Sequence, residues 1–211
     1  MSEAPRQGLD VFYPIVPDAT WVARIVPLGV RTLRLRIKDV PADSVRRQID
    51  ASLAIARRHG CQLIVNDYWR EAIDAGADYV HLGQEDLAAA DVAAIRGAGV
   101  RLGISTHSED ELDVALAADP HYVALGPIYE TKLKAMWWAP QGLARIGAWK
   151  SRIGRLPLVA IGGITPERAD GVVAAGADSV AVITDFMTAQ DPEARIELWL
   201  AWAESMRQSR D

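Results

Sequence analysis

Apolar residues along the chain gather in eight short runs: 11–16 (VFYPIV), 32–36 (TLRLR), 61–65 (CQLIV), 78–82 (DYVHL), 100–104 (VRLGI), 121–125 (HYVAL), 157–161 (PLVAI) and 179–183 (SVAVI). Their length and β-branched content predict strands. The segments between them carry helix signals. Ser108 with Glu111 three residues on predicts a capping box, and Thr165-Pro166-Glu167 and Asp191-Pro192-Glu193 place proline at the first helical position. Glycine is expected to close each helix, and the string AGAD at 75–78 and 175–178 repeats one helix-to-strand turn. Strict alternation of strand and helix demands a parallel sheet, and eight units predict a closed (β/α)8 TIM barrel. An open doubly wound sheet normally begins with a glycine-rich turn, which VPDAT at 16–20 lacks.

With 211 residues, 50% of them hydrophobic and 24% charged, the chain fits one domain over 1–211, with residues 1–9 expected as a flexible N-terminus. No apolar run approaches the roughly 18 residues of a membrane span, and MSEAPRQGLD has neither the basic start nor the apolar middle of a signal peptide. A cytoplasmic protein is expected. Its single cysteine, Cys61, excludes an internal disulfide and a cysteine-cluster metal site, and its place at a strand start predicts packing. A net charge of −5 without a basic stripe points away from nucleic acid and leaves small phosphorylated ligands open.

In a barrel of this kind the site is built by the loops that follow the strands. Alternation along RLRIK places Arg34, Arg36 and Lys38 on one face of the second strand and Leu35 and Ile37 on the other. Three converging cations suit a dense anion, since unit charges about 4 Å apart gain roughly 4 kcal/mol at an effective dielectric of 20. Asn66 and Asp67 follow the third strand, and Glu85 and Asp86 the fourth. Asp67 and Asp86 are the oxygen donors Mg2+ takes beside a polyphosphate, although the same acids also suit ion pairs with the cations. Ser105 and His107 end the fifth strand; Thr131, Lys132 and Lys134 follow the sixth. Gly162-Gly163, with Ile183-Thr184 after the eighth strand, suit a second, phosphate-sized anion, or serve chain geometry alone.

The strings TLRLRIKD, VNDYWREAI, VHLGQEDL, LGIST, APQGL and VAIGGI, in this order across nearly the whole chain, resemble the thiamine phosphate synthase family, which also includes thiazole tautomerase relatives. The resemblance implies a transferase that joins a hydroxymethylpyrimidine diphosphate to a thiazole phosphate and releases pyrophosphate. It implies a dissociative course in which a pyrimidine methyl cation is captured by the thiazole nitrogen. By the same resemblance Arg34, Leu35, Arg36, Ile37, Lys38, Asn66, Ser105 and Lys134 contact the pyrimidine diphosphate. Arg36, Lys38, Ser105 and Lys134 are the catalytic members of that set. Asp67 and Asp86 would hold Mg2+, while Thr131, Lys132, Leu133, Gly163, Ile183 and Thr184 would line the thiazole phosphate site.

Three positions depart from the family pattern. Arg34 stands where glutamine is usual, and it donates hydrogen bonds without accepting them. Leu133 replaces the second hydroxyl of a Thr-x-Thr pair begun by Thr131. Trp137 and Trp138 either stack over the pyrimidine or pack in their loop. Two rival readings are a thiazole tautomerase-like isomerase, in which a histidine would stand at Pro127, and a non-catalytic barrel that binds thiamine precursors. His81 reads as a hydrogen-bonded core residue. The tail RIELWLAWAESM at 195–206 predicts a helix whose leucine and tryptophan face covers the barrel or a second subunit, which leaves a homo-oligomer open.

Overall fold

Each predicted apolar run forms a strand in the computed structural model, which describes residues 8–131 and 139–209. The strands are β1 Phe12–Val16, β2 Thr32–Leu35, β3 Gln62–Asn66, β4 Tyr79–Leu82, β5 Arg101–Thr106, β6 Tyr122–Leu125, β7 Leu158–Ile161 and β8 Ser179–Val182. The helices are α1 Ala19–Ile25, α2 Ala42–Arg58, α3 Trp69–Asp74, α4 Gln84–Ala89, α5 Val92–Gly97, α6 Glu109–Ala117, α7 Gly142–Ile153, α8 Pro166–Ala174, α9 Thr184–Met187 and α10 Pro192–Gln208. All neighbouring strands pair in parallel, and β8 closes on β1 through Phe12 opposite Val180. Among the described residues no helix is long and apolar enough to cross a membrane.

Period-two alternation divides the buried residues between two cores. Leu33, Leu35 and Ile37 join Val65, Val80, Leu82, Ile104 and the helix faces in an outer layer, while Tyr13, Ile15, Ile64, Tyr79, Tyr122, Ala124, Val159 and Ala181 fill the barrel. Cys61 is buried at the start of β3, and burial pushes its thiol up to about 12, so it packs and does not react at neutral pH. Leu9, expected in a flexible terminus, packs against the interior core instead.

The helix ends refine the sequence reading. Ser108 Oγ accepts from Glu111 N at 3.2 Å, but the Glu111 carboxylate reaches back to the His107 N–H at 2.7 Å, one residue earlier than a capping box requires. Glycine closes α3 at Gly76 and α8 at Gly176, both with positive φ, whereas α6 is followed by Asp119 at φ 45°. Aspartate tolerates this left-handed backbone better than most side chains. Helix α10 covers the barrel wall. Trp199 stacks on Phe12 of β1 with ring centroids 5.2 Å apart, and Ile196 and Ala203 are buried on the same helix.

Candidate active site

The mouth is assembled where β2, β3 and β4 end. Asp67 follows β3 directly and takes φ 64°, with its N–H donated to His81 O at 2.9 Å and its own carbonyl accepting from Trp69 N. This turn stops the strand at Asn66 and leaves the Asp67 carboxylate 2.5 Å from Lys38 Nζ. Asp86 lies in the first turn of α4, half-buried, with Asp67 as its acidic neighbour. Burial raises the Asp86 carboxyl above its usual range; the neighbouring Asp67 adds to the shift, and Lys38 opposes it. Glu85 is exposed, so of the adjacent acids only Asp86 joins the pair.

Two neighbouring carboxylates supply oxygen donors of the kind a divalent cation takes. Among the described residues no group of three or more His, Cys, Asp or Glu gathers as metal ligands. A pair of acids fits an ion that keeps waters and takes its remaining oxygens from a substrate phosphate, as Mg2+ does.

The predicted cation trio separates by depth. Arg34 is 6% exposed inside the barrel, its guanidinium over the Tyr13 ring at 5.7 Å, while Arg36 and Lys38 are exposed beyond the strand end. Among the described residues Arg34 makes no hydrogen bond or ion pair, and its Nε is buried without a partner. Leu35 and Ile37, expected to touch substrate, have their side chains in the outer core at 0% and 1% exposure. The alternation that turns Arg34 inward turns these two away, which leaves only their backbone for a ligand.

Ser105, on β5, extends the polar wall. Its Oγ lies 2.8 Å from His81 Nε2; His81 Nδ1 is 2.8 Å from Tyr122 Oη, and Tyr122 Oη is 2.8 Å from Tyr13 Oη. Burial, with the Arg34 guanidinium as a second cause, holds the His81 imidazole well below its ordinary range. Burial likewise raises both phenols. Asn66 is buried at 5% exposure opposite His81 in the β3–β4 register. Gln84 Nε2 donates to the Ser105 carbonyl at 2.6 Å, and Gln141 Nε2 to the His107 carbonyl at 3.1 Å, so both amides brace the end of β5. The sequence reading passed over Tyr13, Tyr122, and the bracing roles of Gln84 and Gln141. A glycine inside the VRLGI run was the available signal, since such a residue marks a close approach.

On the other side of the mouth, Gly162 and Gly163 have φ 105° and 64°. Their missing side chains make room for backbone: a Cβ on Gly162 would stand 2.7 Å from Pro127 Cα, and one on Gly163 would stand 2.4 Å from Glu130 O. Ile128 N and Tyr129 N donate to Ile161 O and Gly162 O, seating the segment that leads to Thr131. The glycine pair therefore has a packing role of its own. Ile183 and Thr184 begin α9, half-buried at the end of β8. Lys132, Leu133, Lys134, Trp137 and Trp138 lie outside the described residues.

Residues 13–186 match the family described as "Thiamine monophosphate synthase". Over 193 residues the chain is 59% identical to a thiamine-phosphate synthase of Rhizobium etli, covering 92% of this chain and 95% of that protein. Over 194 residues it is 49% identical to a thiamine-phosphate synthase of Salmonella paratyphi B, covering 92% and 90%. The solved thiamine phosphate pyrophosphorylase from Pyrococcus furiosus superposes with a TM-score of 0.81 at 25% identity, over 93% of this chain and 96% of that one. A 3-hexulose-6-phosphate synthase at 17% identity and a TM-score of 0.64, covering 90% and 98%, shares the barrel alone. By this match across its barrel, with the acid pair and the cations gathered at one mouth, the chain belongs to the thiamine monophosphate synthase family.

Proposed function

We propose that this protein is a thiamine phosphate synthase, a transferase that condenses 4-amino-2-methyl-5-hydroxymethylpyrimidine diphosphate with a thiazole phosphate and releases pyrophosphate. The observation that carries the reading is the convergence of Lys38, Asp67 and Asp86 at the barrel mouth of a chain 59% identical to a named thiamine-phosphate synthase.

Asp67 and Asp86 would hold Mg2+, a role supported by their placement as neighbouring acids at the mouth. Bound there, Mg2+ would neutralise charge that builds on the leaving diphosphate. Arg36 and Lys38 stand at the rim to bind the same oxygens, with Lys134 and Ser105 completing that set. Arg34, Asn66, His81 and Ser105 on β2 to β5 form the polar part of the interior wall, and Val159 and Ala181 on β7 and β8, flanked by Ala124 and Ile15 on the neighbouring strands β6 and β1, form its apolar part. Such a wall excludes water from a cation that water would trap. Thr131, Gly163, Ile183 and Thr184 would position the thiazole phosphate, and holding two reactants in register contributes on the order of 7–11 kcal/mol.

The reading carries with it a cytoplasmic enzyme of small-molecule substrates, acting on neither nucleic acid nor membrane, and a homo-oligomer whose mass light scattering would read. The test is formation of thiamine phosphate and pyrophosphate from both substrates with Mg2+. A tautomerase would convert the thiazole alone, and a binding barrel would make no product; either result refutes the synthase.

A further inference from the structure

The four-member chain inside the barrel ends at the mouth, and it has a direction. We infer that His81 is a positioning residue that presents the Ser105 hydroxyl to the mouth as a hydrogen-bond donor. The inference rests on the reading of this mouth as a diphosphate site.

Three contacts of 2.8 Å link Tyr13 Oη, Tyr122 Oη, His81 Nδ1 and, through His81 Nε2, Ser105 Oγ. A neutral imidazole has one N–H, so His81 donates at one ring nitrogen and accepts at the other. Tyr122, held between His81 and Tyr13, has one proton to give and gives it one way. The links are therefore correlated, and three arrangements satisfy them all, two with His81 protonated at Nδ1 and one with it protonated at Nε2. In the two inward ones Ser105 donates to His81, His81 Nδ1–H donates to Tyr122, and Tyr122 either donates to Tyr13 or accepts from it, so one phenol proton is left over; among the described residues neither hydroxyl has a further hydrogen-bond partner. In the outward one Tyr13 donates to Tyr122, Tyr122 to His81 Nδ1, and His81 Nε2–H to Ser105, whose own proton is then free for a ligand.

The left-over proton decides between them. The inward arrangements leave a phenol proton without an acceptor on a side chain at most 1% exposed, whereas the outward one leaves over only the Ser105 proton, on a half-buried side chain at the mouth. The outward arrangement is favoured, and it leaves an O–H donor free near the end of β5, on the mouth side of the barrel. A hydroxyl whose acceptor side is already filled by His81 is complementary to an anionic oxygen.

Gly103 supplies an independent mark that the chain is built. A Cβ there would fall 2.0 Å from Tyr122 Cζ and 2.5 Å from Tyr122 Oη, so the ring crosses the β5 backbone at a distance only glycine allows. The same ring stacks on His81 with centroids 5.5 Å apart. Tyr122 is thereby fixed in the one position from which its hydroxyl reaches both His81 and Tyr13.

Two measurements test the inference. Long-range proton–nitrogen correlation on 15N-histidine-labelled protein should show His81 with a protonated Nε2 and a pyridine-like Nδ1; the opposite tautomer overturns it. In the second, His81→Phe keeps the ring stack and removes both hydrogen bonds, whereas His81→Gln restores a donor toward Ser105 and an acceptor toward Tyr122. Affinity for inorganic pyrophosphate with Mg2+, and kcat/KM for the pyrimidine diphosphate, should fall about tenfold to a hundredfold in His81→Phe, as expected for a lost hydrogen bond to a charged group. They should largely recover in His81→Gln. In a Ser105→Ala background the His81→Phe change should add no more than about twofold, because both changes remove one interaction. A full loss repeated in that background, from proteins with equal melting temperatures, overturns the inference. Wild-type protein that binds pyrophosphate without turnover refutes the synthase reading alone, and the tautomer and the pyrophosphate cycle still judge His81.

Discussion

Asp67 is shared between an opposite and a like charge: its carboxylate lies 2.5 Å from Lys38 Nζ, and Asp86 is its acidic neighbour. Lys38 satisfies only one of the two acids, and Asp86 is left with its carboxyl raised by burial and by Asp67. A divalent cation between the two would relieve that repulsion.

Asp86→Asn should therefore separate activity from stability. A carboxyl whose folded pKa lies above its unfolded value adds stability below the unfolded pKa, and that contribution is lost as pH rises through the folded pKa. At pH 7 without Mg2+ the ionised Asp86 thus weighs against the fold, and the amide should raise Tm by about 2 °C, a small gain because the site is solvent-screened. Turnover should fall on the order of a hundredfold or more, and Mg2+, which should stabilise the wild type, should no longer shift Tm. Thermal melts with and without Mg2+ check both halves; a metal response equal to that of the wild type would remove Asp86 from the ion site.

Gly103→Ala should be among the most damaging single-methyl additions in the molecule. The new Cβ would meet the Tyr122 ring 2.0 Å away, and that ring is fully buried between His81 and Tyr13. Overpacking of this kind costs about 3 kcal/mol or more when the neighbour has nowhere to go. Urea unfolding should show the loss, and Gly103→Ala combined with Tyr122→Leu should be more stable than Gly103→Ala alone. If the second change lowers stability further, the clash is not the cause.

Asp185 ties the end of the chain to the start of α9. It accepts two hydrogen bonds from Arg195 at 2.8 Å each and a third from Trp199 Nε1 at 2.8 Å, with its side chain 10% exposed. Asp185→Ala leaves a half-buried guanidinium and a buried indole N–H without their acceptor, a loss of about 2–4 kcal/mol. Tm should drop by roughly 5–10 °C. Because Asp185 directly follows Thr184, KM for the thiazole phosphate should rise as well. An unchanged KM in a destabilised protein would confine the clamp to holding α10.

The strands were legible because eight apolar runs separated by helix signals leave a barrel as the simplest closed sheet, and the alternation in RLRIK separates Arg34 from Leu35 as expected, the structure adding that Arg34 is the one that faces inward. Charges at strand ends were legible for the same reason: the fold sends every strand end to one rim. The chain from Tyr13 to Ser105 was not, because its links join residues 109, 41 and 24 positions apart and depend on side-chain reach. Depth along a strand was missed too. Arg34, Arg36 and Lys38 share a face, yet two residues of rise separate a buried cation without a counter-ion from exposed ones. The packing role of Gly162 and Gly163 depends on where residues 127–130 run, which no local pattern encodes.

Gly163 gives the sharpest separation of packing from ligand contact. Its φ of 64° strains any other residue by about 1 kcal/mol, and a Cβ would press on Glu130 O at 2.4 Å and Tyr129 Cβ at 2.8 Å, so backbone has to yield. Gly163→Ala should displace the segment just before Thr131, lowering Tm by several degrees and raising KM for the thiazole phosphate together. Thr184→Ala, which removes one hydroxyl at the start of α9, should raise the same KM by roughly tenfold while leaving Tm nearly unchanged, since its backbone oxygen still accepts from Thr188. Steady-state kinetics with varied thiazole phosphate, beside thermal melts of both variants, distinguish the two roles. A Gly163→Ala protein with native Tm and a raised KM would mean that the glycine serves the phosphate directly, and that the segment at 127–130 moves aside more easily than its backbone hydrogen bonds to Ile161, Gly162, Gln141 and Gly142 imply.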